Sequence, residues 1–219
     1  NLSFRDESTN NFAITRNGAV NPSLNTPFTG GVGGSVQLIQ ASNGYLSIPH
    51  NAALNLASVP FTIEFWVNPS AYGAILVDKD GIGSVSYPQY RVVIEAAGTI
   101  TLMLGSATLS PSFQIYTTSN TAALNQWTFI AVSVTSTTVY IFIDGVLGAT
   151  GSRYSGMANG GNALVIGWEP GNPTSINFNG FISNLRILKD TALYTANFTP
   201  PTAPLTAITN TSLLITGTG

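Results

Sequence analysis

Asp78, Lys79, Asp80 and Gly81 set two carboxylates two positions apart just ahead of a glycine. Hard oxygen ligands so placed suit calcium, and the same four residues also make an ordinary acidic turn between strands. A second chemistry needs flat aromatic faces beside amide, hydroxyl and guanidinium groups, the combination that holds sugars. Tyr72, Tyr87, Tyr90, Arg153, Tyr154, Trp168 and Asn172 sit in or beside loop-like stretches and are the candidate ligand-binding residues, each of which also has a structural alternative. Nucleophilic chemistry finds little material. His50 is the single histidine, it follows Pro49, and no G-x-S-x-G motif accompanies it. Cysteine is absent, which removes disulfides, thiolate metal sites and thiol nucleophiles. The glycines between Gly30 and Gly34 lack a lysine and open no helical pattern, so they do not cradle phosphate.

The elements that must position these residues read as strands. Residues 126–151, QWTFIAVSVTSTTVYIFIDGVLGATG, contain three in a row. Thr128, Ile130, Val132 and Val134 alternate with Phe129, Ala131 and Ser133, the period-two signature of a sheet. Ser136 and Thr137 break the run; Val139, Ile141 and Ile143 resume it with Tyr140 and Phe142 on the other face. Asp144-Gly145 suits the two positive φ angles of a type I′ turn, so a hairpin is expected there with Ile143 opposite Val146. Both faces of the second strand are apolar, which predicts a sheet covered on both sides.

Similar short runs fill the remainder. Residues 36–39 and 45–48 are expected to pair as a hairpin around Asn43-Gly44, and 90–95 with 99–104 around Ala97-Gly98. Residues 61–67, 74–77, 113–117, 163–168, 178–188 and 211–216 read as further strands. Residues 50–56 and 191–194 are each expected to form one helical turn, and 152–162 a Gly- and Asn-rich loop. Residues 21–34, with Pro22, Pro27 and the glycine run, predict a long surface loop inside one domain spanning 1–219. Short strands, turn signals and almost no helix predict an all-β, antiparallel two-sheet sandwich of jelly-roll type.

Composition narrows the partners. Hydrophobic residues make up 44% of the 219, charged residues only 7%, and the formal net charge is −2. A typical domain carries about 25% charged residues, so Thr, Ser, Asn and Gly must make this surface polar. That composition suits an extracellular or virion protein. No basic run supports nucleic acid or an anionic membrane surface as partner, and no apolar stretch of about 18 residues supports membrane insertion. No secretory signal pattern is visible, and a chain starting at Asn1 fits a processed protein or an excerpt of a longer one.

Three stretches carry a resemblance. The pattern Q-W-x-F-x-A-V from Gln126, then a strand, then I-D-G-V ending at Val146, resembles the central hairpins of laminin-G-like domains in the concanavalin A-like lectin/glucanase superfamily. FTIEFWV at 61–67 and GFISNLRIL at 180–188 fall in the same order. The flanks, FRDESTNNFAITRNG from Phe4 and TALYTANFTPPTAPLTAITNTSLLI from Thr191, are similar to the version of this domain in structural proteins of marine phages. The resemblance implies the jelly-roll sandwich. It also implies either a binding module or a glycosidase. Glucanases of the superfamily draw their two carboxyl groups from an E-x-D-x-x-E strand, a spacing this chain lacks; Glu64 stands alone on its strand. Calcium-binding laminin-G domains place an aspartate at the start of the strand that matches 89–95, where this chain has Gln89 or Tyr90.

The expected function is therefore non-catalytic: carbohydrate or host-surface recognition on a virion or cell surface, with calcium as an optional cofactor. The alternatives are a decoration or fibre module that contacts other virion or surface proteins, or itself, and a glycoside hydrolase of the same superfamily. One structural expectation follows from charge scarcity. Glu64 and Arg186 occupy the centres of strands that resemble neighbours in one sheet, and a charge on a covered face needs a partner, so the two are predicted to form an ion pair.

Overall fold

The computed structural model describes residues 4–79, 88–105, 113–157, 159–168 and 177–217. Strands β1 (Thr15–Asn17), β2 (Val20–Ser23), β3 (Ser35–Leu38), β4 (Tyr45–Ile48), β5 (Phe61–Pro69), β6 (Ala74–Lys79) and β7 (Tyr90–Ile94) come first. They are followed by β8 (Thr99–Gly105), β9 (Phe113–Thr121), β10 (Thr128–Val134), β11 (Thr138–Ile143), β12 (Val146–Ser152), β13 (Leu164–Ile166), β14 (Gly180–Lys189) and β15 (Thr211–Ile215). They build two antiparallel sheets. One runs β1-β4-β13-β6-β7-β8-β9; the other runs β12-β11-β10-β5-β14-β3-β2, with β15 also on β14. Helical structure among the described residues is three single 3₁₀ turns, and no helix there is long and apolar enough to cross a membrane.

The period-two alternation sends one side chain in two into a shared core. Phe61, Ile63, Phe65 and Val67 of β5 meet Tyr90, Val92 and Ile94 of β7 and Leu102 and Leu104 of β8, all fully buried. Each such side chain contributes about 1.5–3 kcal/mol on burial. The expected β10–β11–β12 meander is present. Asp144 and Gly145 take φ angles of 50° and 74°, and Ile143 pairs with Val146 across the turn. Asp144 is a turn residue whose Oδ1 accepts the Phe129 amide at 2.8 Å. A Cβ on Gly145 would lie 1.9 Å from the Phe198 carbonyl oxygen, so the turn requires glycine for space as well as for φ.

Two local expectations are corrected. Residues 36–39 and 45–48 do not form a hairpin: β3 and β4 lie in different sheets. Asn43 does take a left-handed φ of 49°, but the 3₁₀ turn Gln40–Ser42 uses it to carry the chain from one layer to the other. Residues 191–194 contain no helical turn; they run across the sheet without regular structure. The turn expected within 50–56 does form, at Ala52–Leu54, capped by Asn51 Oδ1 accepting the Ala53 amide. The loop expected over 21–34 is shorter at its start: residues 21–23 belong to β2, which pairs with β3, and Pro22 is accommodated because β2 is an edge strand.

The outer face of the eight-stranded sheet is covered by chain rather than by a third sheet. Phe129, Ala131 and Phe142 are fully buried there beneath Tyr194 and Phe198, whose rings stack 3.7 Å apart. The covering segment is stitched down by polar bonds. The Leu193 amide donates to Thr62 Oγ1 at 2.9 Å, and the Tyr194 amide to Ser133 Oγ at 3.1 Å. The Leu205 amide donates to Asn184 Oδ1 at 2.7 Å.

Glu64 and Arg186 pair directly across β5 and β14 on this face. Arg186 donates through Nε at 2.7 Å and through Nη2 at 2.6 Å to Glu64 Oε1, and through Nη1 at 2.7 Å to the Thr206 carbonyl. The Tyr194 hydroxyl donates to Glu64 Oε2 at 2.8 Å. Burial pushes the Glu64 carboxyl above its ordinary value against the pull of Arg186, and burial together with the Glu64 charge raises the Tyr194 hydroxyl, which stays a donor. The register works because β14 carries one extra residue between Ser183 and Arg186. Asn184, at φ 53°, is that bulge; without it Arg186 would point into the apolar core. Replacing Arg186 by Leu should cost about 3–5 kcal/mol because Glu64 is left buried and unpaired, whereas the Glu64→Leu, Arg186→Leu double variant should cost much less. Urea denaturation of Glu64→Leu, Arg186→Leu and the double variant measures this; a double-variant loss equal to the sum of the two single losses would show that the two positions are not coupled.

Candidate functional site

The loops that enter β5, join β10 to β11 and leave β12 meet at one end of the sandwich, and Arg153 fastens them. Its Nη1 donates to the Val59 carbonyl at 2.8 Å and the Thr135 carbonyl at 3.0 Å. Its Nη2 donates to the Leu56 carbonyl at 3.1 Å and the Ala57 carbonyl at 2.7 Å. The guanidinium carbon lies 5.7 Å from the centre of the Phe61 ring, a cation–π contact that ties the loops to the core. Half-burial lowers the Arg153 pKa from its usual value, and carbonyl dipoles rather than a carboxylate neutralise the charge. Tyr154, next along the chain, is buried at 8% exposure. Nearby, the Tyr116 hydroxyl donates to the Ser152 carbonyl at 2.6 Å and so fixes the start of this loop.

Above Arg153 lies an open depression of about 230 Å³ walled by Ser58, Ser136, Ser155, Tyr154 and Met157. The hydroxyls of Ser58, Ser136 and Ser155 make no hydrogen bond to another described residue. They are three neutral groups, each donor and acceptor, turned to solvent around one concavity. The loop positions of Ser136 and Ser155 were legible in the turn signal at Ser136 and in the Gly/Asn-rich stretch after Ser152. Their convergence depends on strand order, which no local pattern reveals.

The other candidates lie apart from this depression. Tyr72 is half-buried beyond β5, its hydroxyl donating to the Ala122 carbonyl at 2.7 Å. Tyr90 is fully buried in the core, with its hydroxyl donating to the Leu54 carbonyl at 3.1 Å. Trp168 packs on Tyr45 with ring centres 4.1 Å apart, beside the seven-stranded sheet. Asp80, Tyr87 and Asn172 lie outside the described residues. Arg153 and Tyr154 are thus the pair that the fold brings together.

Asp78, the calcium candidate that lies among the described residues, does not fit a calcium shell. Asp78 is 1% exposed and accepts Arg91 Nε at 3.2 Å and Nη2 at 3.1 Å, so both of its oxygens are engaged by a guanidinium. Gln89, which with Tyr90 is what the resemblance sets against the aspartate of calcium-binding laminin-G domains, is also engaged. Its Oε1 accepts the Leu56 amide at 2.9 Å and its Nε2 donates to Asn159 Oδ1 at 3.2 Å. Among the described residues no three His, Asp or Glu side chains gather to hold an ion.

With this geometry in hand, the chain can be compared with known proteins. The Laminin_G_3 model of the concanavalin A-like lectin/glucanases superfamily matches residues 40–195. No curated protein matches the sequence. Among solved structures, domain 4 of AbnA, a GH43 extracellular arabinanase from Geobacillus stearothermophilus in complex with arabinotriose, aligns with TM-score 0.61 and 22% identity, over 85% of this chain and 87% of that one. The binding domain of Paraclostridial Mosquitocidal Protein 1 aligns with TM-score 0.64 and 15% identity, over 89% of this chain and 50% of that one. A botulinum neurotoxin type C structure, described as bearing on cell entry through interaction with two ganglioside molecules, aligns with TM-score 0.62 and 18% identity, over 87% and 48%. The chain spans about half the length of those two toxin structures. At these identities the likeness is one of fold.

The Asp78–Arg91 pair gives a prediction that separates packing from metal binding. Asp78→Ala should lower stability by about 3 kcal/mol, as expected for breaking a buried pair. The loss should be the same in millimolar calcium and in chelator. A wild-type melting temperature that rises with calcium, with the rise lost in Asp78→Ala, would show instead that the carboxylate serves an ion.

Proposed function

We propose that this chain, which belongs to the concanavalin A-like lectin/glucanases superfamily, is a non-catalytic carbohydrate-binding module whose site is the depression over Arg153 and Tyr154. The observation that carries the reading is the set of three serine hydroxyls with no partner among the described residues, arranged around a concavity whose floor is held rigid by the four carbonyl bonds of Arg153. A sugar presents hydroxyls at its edge and C–H groups on its face. The serines meet the first; Met157 and Tyr154 meet the second. The arabinotriose held by the arabinanase domain and the gangliosides tied to the neurotoxin support a glycan as the ligand class on this fold.

Hydrolysis of a glycosidic bond needs two carboxyl groups roughly 5–9.5 Å apart across the scissile bond. Among the described residues no carboxylate lines the depression. Four of the carboxylates are committed elsewhere. Glu64 and Asp78 are held by arginines and Asp144 by its turn. Asp6 accepts four bonds, from the Ser8 amide and hydroxyl, the Phe12 amide and the Leu214 amide, and so ties the start of the chain to β15.

The finer reading is a module of a virion or cell-surface protein that touches a host glycan outside the cell. It is supported by the charge-poor, Thr/Ser/Asn/Gly-rich surface and by the likeness of both flanks to marine phage structural proteins. A glycan array with and without calcium, followed by calorimetric titration of the hits, tests it. Ser136→Trp and Ser155→Trp fill the depression from exposed positions. They should weaken binding at least tenfold with the melting temperature unchanged. An array on which the wild-type chain binds nothing would leave a purely structural module, in contact with its neighbours or itself, as the surviving reading.

A further inference from the structure

We infer that the depression over Arg153 selects a neutral sugar residue and discriminates against sialylated or uronic acid counterparts. This inference rests on the carbohydrate reading above. An arginine at the base of a concavity ordinarily suggests an anion, because its fork of N–H groups matches a carboxylate through two parallel bonds. That recognition requires one edge of the guanidinium with two donors free. Here both Nη protons of each terminal nitrogen are spent. Nη1 serves Val59 and Thr135, and Nη2 serves Leu56 and Ala57, at 2.7–3.1 Å. Every edge of the guanidinium includes at least one Nη, so no edge offers a pair. Releasing these donors would strand carbonyls in two separate loops, the one entering β5 and the one joining β10 to β11, and lift the group from the Phe61 ring.

What remains of the charge acts only at a distance, and in an open, solvent-filled concavity it is screened. Among the described residues no other charged side chain lines the site, and the formal net charge of the chain is −2. The groups that are available are the hydroxyls of Ser58, Ser136 and Ser155. A serine hydroxyl gives one hydrogen and takes up to two, as does a sugar hydroxyl. Rings of such groups pair with a neutral pyranose or furanose edge without leaving a charge behind. A carboxylate takes hydrogens only. It would lose its hydration for uncharged donors, with the guanidinium below unable to turn toward it.

The test uses neutral arabino-, gluco- and galacto-oligosaccharides beside their sialic acid- or uronic acid-capped counterparts of equal length, titrated into the full chain at low and high salt. The neutral member of the best-binding pair should bind at least tenfold more tightly than the acidic one, with an affinity that salt leaves unchanged. Ser136→Trp should abolish binding of the neutral member. An acidic member that binds within tenfold or better overturns the selectivity while leaving the carbohydrate reading intact. So does a neutral preference that survives Ser136→Trp, since the depression would then not be its source. If neither member of any pair binds, the carbohydrate reading falls and this inference falls with it.

Discussion

The pairing of Glu64 with Arg186 constrains more of this structure than any other contact. Glu64 has no exposure at all, so its charge is tolerated only while Arg186, Tyr194 and the sheet hold it. Meeting that demand shapes three elements at once. β14 must carry the Asn184 bulge, because a regular strand would aim Arg186 at the opposite face. The segment after β14 must cross back over the sheet to bring in the Tyr194 hydroxyl and the Thr206 carbonyl. That crossing in turn roofs Phe129 and Phe142, which β10 and β11 would otherwise present to water. Asn184 serves both ends, since its backbone makes the bulge and its side chain accepts the Leu205 amide of the returning segment.

The roof explains a feature of the sequence that a simple two-sheet sandwich does not. β11 is apolar on both faces, and a strand of that kind predicts two coverings. One is the second sheet; the other is residues 190–206, whose Pro200, Pro201 and Pro204 keep the segment extended as it crosses. Its contacts are aromatic at Tyr194 and Phe198 and polar at Thr62, Ser133 and Asn184. An irregular segment can lie against a sheet this closely only if its backbone groups find partners, and those side chains supply them.

The strands from β3 onward, the Asp144-Gly145 turn and the ion pair were legible because each rests on a local rule: alternation, a demand for positive φ, or the cost of a lone buried charge; the short β1 and β2 carry no such alternation. Layer assignment was not. Asn43-Gly44 announces a left-handed residue, and Asn43 has one, but that conformation fits a crossing between sheets as well as a hairpin. The candidate site shows the same division. Arg153 and Tyr154 were marked by residue type and loop position. Ser58, Ser136 and Ser155 come from three different connections, and only the order β12-β11-β10-β5 brings those connections to one end. Tyr90 misleads for a related reason: its position at a strand start resembles a loop site, yet the inward phase of β7 buries it completely.

The scarcity of charge links the fold to the site. With 7% charged residues, the chain uses five of its seven cations as internal struts. Arg186 serves Glu64 and Thr206, Arg91 serves Asp78, and Arg153 serves four carbonyls. Lys79, fully buried, reaches the Asn162 carbonyl at 2.7 Å, and Lys189 reaches the Ala52 carbonyl at 2.8 Å. A cation engaged with backbone carbonyls neutralises loop dipoles and fixes loop geometry, and in doing so gives up the donors that would recognise an anion. Loops held this way keep their shape without a disulfide. The surface they present is then written in hydroxyls and amides, whose individual hydrogen bonds contribute about 0.5–1.5 kcal/mol each. Contacts of that strength give useful affinity only when several converge on one ligand, or when many copies of the module act together on a multivalent surface.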